Sequence, residues 1–235
     1  MIEHLKSELR QCGSPEKAKI LQRFFKTGKG EYGEGDIFLG ITMPEQRRIA
    51  QQFLTLPWEE IEKLLHSPEH EFRMAALLIL VYRFPKASPT EKQEIYHFYL
   101  AHTHWINNWD LVDVSAEHIV GAFLEGKEKS PLFQLAHSKS LWERRIAIIS
   151  SFAFLKNGDG EITLAIAEVL LSDKHDLIHK AVGWMLRELG KRCGREKEQE
   201  FLEKHAKKMP RRMLRYGIEH FTAEEKQKYM REGRN

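Results

Sequence analysis

The chain has 235 residues, of which 42% are apolar and 30% charged, so it can bury a sizeable core and does not read as a disordered polymer. Its longest apolar run, Ala75 to Tyr82, falls well short of the roughly 18 residues of a membrane span. Met1-Ile2-Glu3-His4-Leu5-Lys6 lacks a secretory leader's layout, and Cys12 and Cys193 make neither a disulfide framework nor a metal-ligand spacing, so a cytoplasmic setting is expected.

Helical spacing recurs along almost the whole chain, and no stretch alternates long enough to predict a strand. Polar caps followed by proline mark helix starts at Ser14-Pro15, Ser67-Pro68 and Ser130-Pro131. The predicted helices span roughly 2–12, 15–26, 44–54, 57–66, 68–83, 89–104 and 108–125. Those of the second half span roughly 131–137, 140–156, 160–171, 175–193, 196–208, 210–220 and 222–232. Small residues at Ala75, Ala147 and Ala181, with Leu111 between and Leu214 beyond, suggest a two-helix repeat of about 33–36 residues. Paired helices at that period predict an all-α, HEAT-like helical-repeat solenoid, an α-α superhelix, over 1–235 as a single domain.

Charge is unevenly distributed. From Lys180 to the end there are 16 lysines and arginines against 9 acidic residues, while the preceding part carries 21 against 25, which together give the net +3. A basic C-terminal third suits a polyanion such as nucleic acid, and it also suits a solvated helix surface. The register of the repeat aligns Arg73, Trp109, Arg145 and His179, and these are expected to line a concave basic groove suited to phosphates.

Trp109 and Asp113 are one helical turn apart and share a face, with Asn107 or Asn108 placed to cap their helix. Asp113 has apolar neighbours in Leu111, Val112 and Val114, and two roles are open to it. It can stabilise a developing positive charge or orient a water, or it can pair with Arg145 to tie two repeats together. Trp184, in Lys180-Ala181-Val182-Gly183-Trp184, suits either the core or a partly exposed contact. Three other motifs lead nowhere. Gly28-Lys29-Gly30-Glu31-Tyr32-Gly33 has no preceding strand and reads as an ordered loop. His66 with His70, and His97 with His102 and His104, lack a complete ligand set and read as solvated or capping histidines. No serine or cysteine has the context of an activated nucleophile. No metal or cofactor is expected.

The segments Phe24 to Ile41, Asn107-Asn108-Trp109-Asp110-Leu111-Val112-Asp113, Trp142 to Ala147 and Lys180 to Glu188 closely resemble the AlkD-like bacterial DNA alkylation repair family, over about residues 15–221. The resemblance implies a solenoid that wraps duplex DNA and a monofunctional glycosylase removing cationic alkylpurines of the 3-methyladenine and 7-methylguanine type, without full base flipping. It makes Asp113 the catalytic carboxylate, Trp109 and Trp184 the groove tryptophans and Arg145 a DNA-contacting arginine. One departure is Phe24, where the family often has a tyrosine. The partner implied is double-stranded DNA containing alkylated bases, met by a monomer. The alternative is a non-catalytic HEAT-like scaffold that binds DNA or protein.

Overall fold

The computed structural model describes residues 1–232, with the side chain of Glu232 left aside. It is all-helical; among the described residues the β pairing is an isolated bridge between Ile37 and Glu69. The chain packs as two compact units, Met1–Ser115 and Ala116–Asn235.

The first unit contains α1 (Ile2–Gln11), α2 (Pro15–Phe24), α3 (Met43–Ala50), α4 (Trp58–Leu65), α5 (His70–Arg83), α6 (Pro89–Ala101) and nearly all of α7 (Trp109–Ala116). Of the three caps expected, Ser14 acts as one and accepts from Lys17 N, whereas α5 begins two residues after Pro68 behind Glu69 and Ser130 is itself the first residue of α9. Ser88 also caps, accepting from Glu91 N, and Thr42 and Glu45 form a reciprocal capping box. Helix α5 is the central element. Twelve of its residues, His70 to Val81, are buried, and it packs on α1, α3 and α4. Each buried Leu or Ile there contributes about 1.5–3 kcal/mol by leaving water.

Past α7 the chain makes one π turn over Glu117–Gly121 and ends that run in α8 (Ala122–Leu124). There follow α9 (Ser130–Ala136), α10 (Leu141–Ser150), α11 (Phe152–Lys156), α12 (Glu161–Val169), α13 (Asp176–Cys193), α14 (Arg195–His205), α15 (Arg211–Gly217) and α16 (Ala223–Glu232). The helix expected over 140–156 is broken at Ser151. That buried hydroxyl donates to the Ile148 carbonyl at 2.7 Å and competes with the regular ladder.

The repeat is visible in hydrogen bonds. Lys197 meets Glu161, Lys204 meets Glu168 and Arg212 meets Asp176, each pair 36 residues apart, so α12 with α14 and α13 with α15 are successive copies. A second signature precedes three helices. At Ser67, Ser138 and Asp173 the side chain accepts from the backbone N–H two residues on, at 3.3, 3.0 and 2.7 Å. The carbonyls of the same residues accept from Arg73, Arg144 and His179, each six residues on, at 2.9, 3.0 and 2.5 Å.

This signature corrects the register read from sequence. The counterpart of Arg73 is Arg144, not Arg145; Ala75 and Ala76 adjoin, and matching Ala147 to the first instead of the second slips the alignment by one. Nor is Arg73 a groove cation, because it is 2% exposed and spends its guanidinium on Asp36 and on the Ser67 and Pro68 carbonyls.

Candidate functional site

In the first unit, the segment between α2 and α3 is folded onto α5 and the start of α7. The Glu71 carboxylate, fully buried on α5, accepts from three consecutive backbone N–H groups, those of Leu39 at 2.9 Å, Gly40 at 2.8 Å and Ile41 at 3.2 Å. Gly33 lies against the Phe25 and Lys26 carbonyls and the Asn108 amide, where a Cβ has no space. The Gly28 to Gly33 stretch is an ordered loop as expected, with Gly28 N donating to Glu31 and Gly30 N to Glu34. An aromatic stack results: Phe25 on Trp109 at 5.0 Å, Phe25 on Phe38 at 4.9 Å, and Phe38 on His70 at 4.4 Å between centroids.

His70 is the electrostatic centre of this arrangement. Its Nδ1 is 2.9 Å from Asp36 Oδ2 and its Nε2 is 2.8 Å from Asp110 Oδ2, while Asp36 also accepts from Arg73 and from Asn108 Nδ2. Burial opposes charge on the ring, but the Asp110 charge and the hydrogen bonds to Asp110 and Asp36 outweigh it, and the pKa is pushed up to about 9. Burial likewise works against an ionised Asp36, yet the His70 hydrogen bond and the Arg73 charge hold its carboxyl below the usual range. At neutral pH, then, an imidazolium is clamped between two carboxylates, and the clamp fixes Asp110 at the first turn of α7. The reading of His70 as solvated or capping is overturned. It is buried because Asp36 and Asp110, 34 and 40 residues away, close on it.

That clamp positions Trp109 and Asp113. Asn108 directly precedes α7: its carbonyl accepts the first helical bond, from Val112 N at 3.2 Å, and its Oδ1 accepts from the adjacent Trp109 N at 2.8 Å rather than from the second or third N–H of the helix. Trp109 is half-buried; besides Phe25 it meets Phe24 edge-on at 5.9 Å and 75°. Phe24 is 62% exposed and Ile20, one turn earlier on α2, is 65% exposed, which is unusual for such large apolar side chains. Asp113 is half-buried one turn along from Trp109. Its charge adds to burial in holding the Tyr99 phenol neutral, and that phenol is hydrogen-bonded to Ser115 Oγ at 3.0 Å.

In the second unit Arg145 lies on α10 and is 5% exposed, its Nη1 donating to the Leu177 carbonyl of α13 at 2.6 Å. Trp184 is half-buried on α13 with its ring 6.1 Å from Phe152. Gly183 beside it faces the Met213 carbonyl and Tyr216 Cβ so closely that a Cβ would collide, which is what allows α15 to pack on α13.

Sequence reasoning missed Asp36, His70 and Asp110 as a unit, since residues so far apart in sequence show no spacing that joins them. The only trace was Asp110 beside Trp109, where no role was read for it.

The sequence model of the DNA alkylation repair enzyme family matches residues 5–221, nearly the whole chain. The chain belongs to this family. The role that follows is in the repair of alkylated DNA. Among solved structures, the fold is similar to that of a protein titled "Predicted DNA alkylation repair enzyme from Enterococcus faecalis", with a TM-score of 0.69 and 19% identity, over 90% of this chain and 97% of that one. At that identity the likeness speaks for the fold, an all-helical repeat architecture, and not for a shared reaction. A comparison with curated proteins gave no match. No helix among the described residues is long and apolar enough to cross a membrane.

Proposed function

We propose that the protein is a monofunctional DNA glycosylase that excises cationic alkylated purines, of the 3-methyladenine and 7-methylguanine type, from duplex DNA as the opening step of base excision repair. One observation carries the reading beyond family membership: a half-buried carboxylate, Asp113, lies one helical turn from a tryptophan held rigidly by stacking, with the exposed ring of Phe24 beside it. An aromatic surface next to a carboxylate suits a flat cation attached to a sugar.

Alkylation at N3 or N7 gives the purine a positive charge and weakens its bond to C1′. When that bond breaks, its electron pair stays on the base, which leaves as a neutral alkylpurine. The sugar becomes oxocarbenium-like; water adds to C1′ and loses a proton, leaving an abasic site. Asp113 supports this step by setting its negative charge near the cationic sugar and by orienting the water. The leaving group needs no general acid. Trp109 and Trp184 offer faces to cationic groups, worth about 0.5–2 kcal/mol each, and Phe24 keeps the ring of the tyrosine common at its position without the hydroxyl. Arg145 is proposed as a DNA contact in addition to its tie to Leu177.

The experiment is to incubate the protein with methylated duplex and chromatograph the released bases. Release of 7-methylguanine or 3-methyladenine supports the reading. Binding without release would mark the protein as a non-catalytic DNA-binding scaffold.

A further inference from the structure

The first unit also carries a cluster of ligand-type side chains unconnected with the proposed reaction. Helices α4 and α6 are each followed directly by a C-cap histidine, His66 and His102, at positions 36 residues apart and therefore equivalent in the repeat. A histidine suits the C-terminus of a helix, where it can donate to a carbonyl of the last turn. His102 does so: its Nδ1 is 2.7 Å from the Phe98 carbonyl. His137, at the end of α9, repeats the arrangement with Nδ1 2.8 Å from the Phe133 carbonyl.

The cap has a consequence for the other ring nitrogen. A carbonyl only accepts, so the proton sits on Nδ1, and Nε2 of a neutral His102 is a lone pair. Yet Nε2 is 3.2 Å from Glu62 Oε1, itself an acceptor. Two acceptors flank a ring whose neutral form has one N–H, so a cation belongs between Nε2 and the carboxylate: a second proton or a metal ion. His66 completes the group, and one ligand atom from each of Glu62, His66 and His102 lies within 4.8 Å of the others.

We propose that Glu62, His66 and His102 form a binding site for a zinc-type divalent cation. Two imidazoles and one carboxylate are a donor set that zinc favours, whereas magnesium and calcium prefer oxygen alone. Ligands about 2.1 Å from a tetrahedral ion stand roughly 3.4 Å apart. The 3.2 Å between Glu62 and His102 already meets this, and a side-chain rotation of His66 brings in the third. The surroundings preset His102. Phe98 stacks on its ring at 4.2 Å, and the Phe98 carbonyl fixes the tautomer that leaves Nε2 to the metal; His66, stacked on Trp105 at 4.7 Å, is the ligand that turns. Glu62 and His102 also line an open cavity of about 710 Å³, with Trp58 and Phe98 on its wall, which leaves room for water as a fourth ligand.

The test uses untagged full-length protein freed of metal with a chelator. Zinc chloride is titrated in by calorimetry, and cobalt(II) replaces it to report coordination by visible absorption. One ion per chain is expected. His66→Ala, His102→Ala and Glu62→Gln should each weaken binding by at least about a hundredfold, beyond the 10–100-fold typical of losing only an outer-shell partner. His137→Ala should bind as the wild type does. A wild-type protein that takes up no stoichiometric zinc overturns the site. So do His66→Ala and Glu62→Gln variants that retain full affinity, or a His137→Ala variant that loses it. Should His102→Ala unfold through loss of its cap, the other two variants decide, with circular dichroism confirming their fold without metal.

Discussion

Replacing His70 by glutamine tests the clamp that holds the start of α7. The ring's pKa is raised from 6.5 to about 9, a difference of roughly 2.5 units, or about 3 kcal/mol at 1.36 kcal/mol per unit. The sign follows from proton binding. Between those two values the folded protein holds a proton that the unfolded chain has released, so stability falls as pH rises. The contribution is fully present below about pH 6.5 and is lost as pH passes through about 9. Urea denaturation of wild type and His70→Gln at several values from pH 6 to pH 10 isolates this term, because other titrating groups are common to both proteins. The stability gap between them should shrink by about 3 kcal/mol across that range. A gap constant with pH would mean that His70 is not an imidazolium between Asp36 and Asp110, and that the clamp is not ionic.

Other changes should respond in distinct ways. Glu198 is fully buried and burial pushes its carboxyl up to about 8, so wild-type stability should fall between about pH 4.5 and 8 through this group. Glu198→Gln should flatten that part of the pH profile and be the more stable protein at pH 9, as measured by melting. Gly183→Ala should lower stability by about 1–3 kcal/mol, since its Cβ meets the Met213 backbone and Tyr216; an unchanged melting temperature would contradict the packing of α15 on α13. Arg145→Ala removes a buried donor from the Leu177 carbonyl and should cost about 1–3 kcal/mol in urea denaturation. If Arg145 also meets a phosphate, the variant's log–log salt slope for duplex binding should flatten by about 0.9.

Much of the fold was legible because helices announce themselves locally. Prolines after polar caps, apolar stripes and a recurring small residue put nearly every helix within a few residues of its place. The repeat was legible too, but its register was not. Two adjacent alanines fit the pattern equally, and only the bonds from Arg73, Arg144 and His179 back to their turns separate them. Within the candidate site, Trp109 and Asp113 stood out because both lie on one turn of one helix. The clamp beneath them did not. Asp36 sits in a loop that reads as a string of turns, and nothing in its neighbourhood says that it will be buried against His70 and Arg73. The same limit hid the Glu62, His66 and His102 cluster, in which α4 supplies the first two and the end of α6, one repeat on, supplies the third.

The central claim is that Asp113 serves the breaking of a glycosidic bond, and Asp113→Asn addresses it with almost no change of size. The variant should stay folded and bind duplex DNA while losing the negative charge. Loss of a few kcal/mol of transition-state stabilisation would slow release of 7-methylguanine from methylated duplex by roughly a hundredfold or more. Excision rate and melting temperature should be taken on one preparation. The expected variant melts near the wild-type temperature and releases base at no more than about a hundredth of the wild-type rate. A folded Asp113→Asn protein that releases 7-methylguanine as fast as the wild type would contradict it.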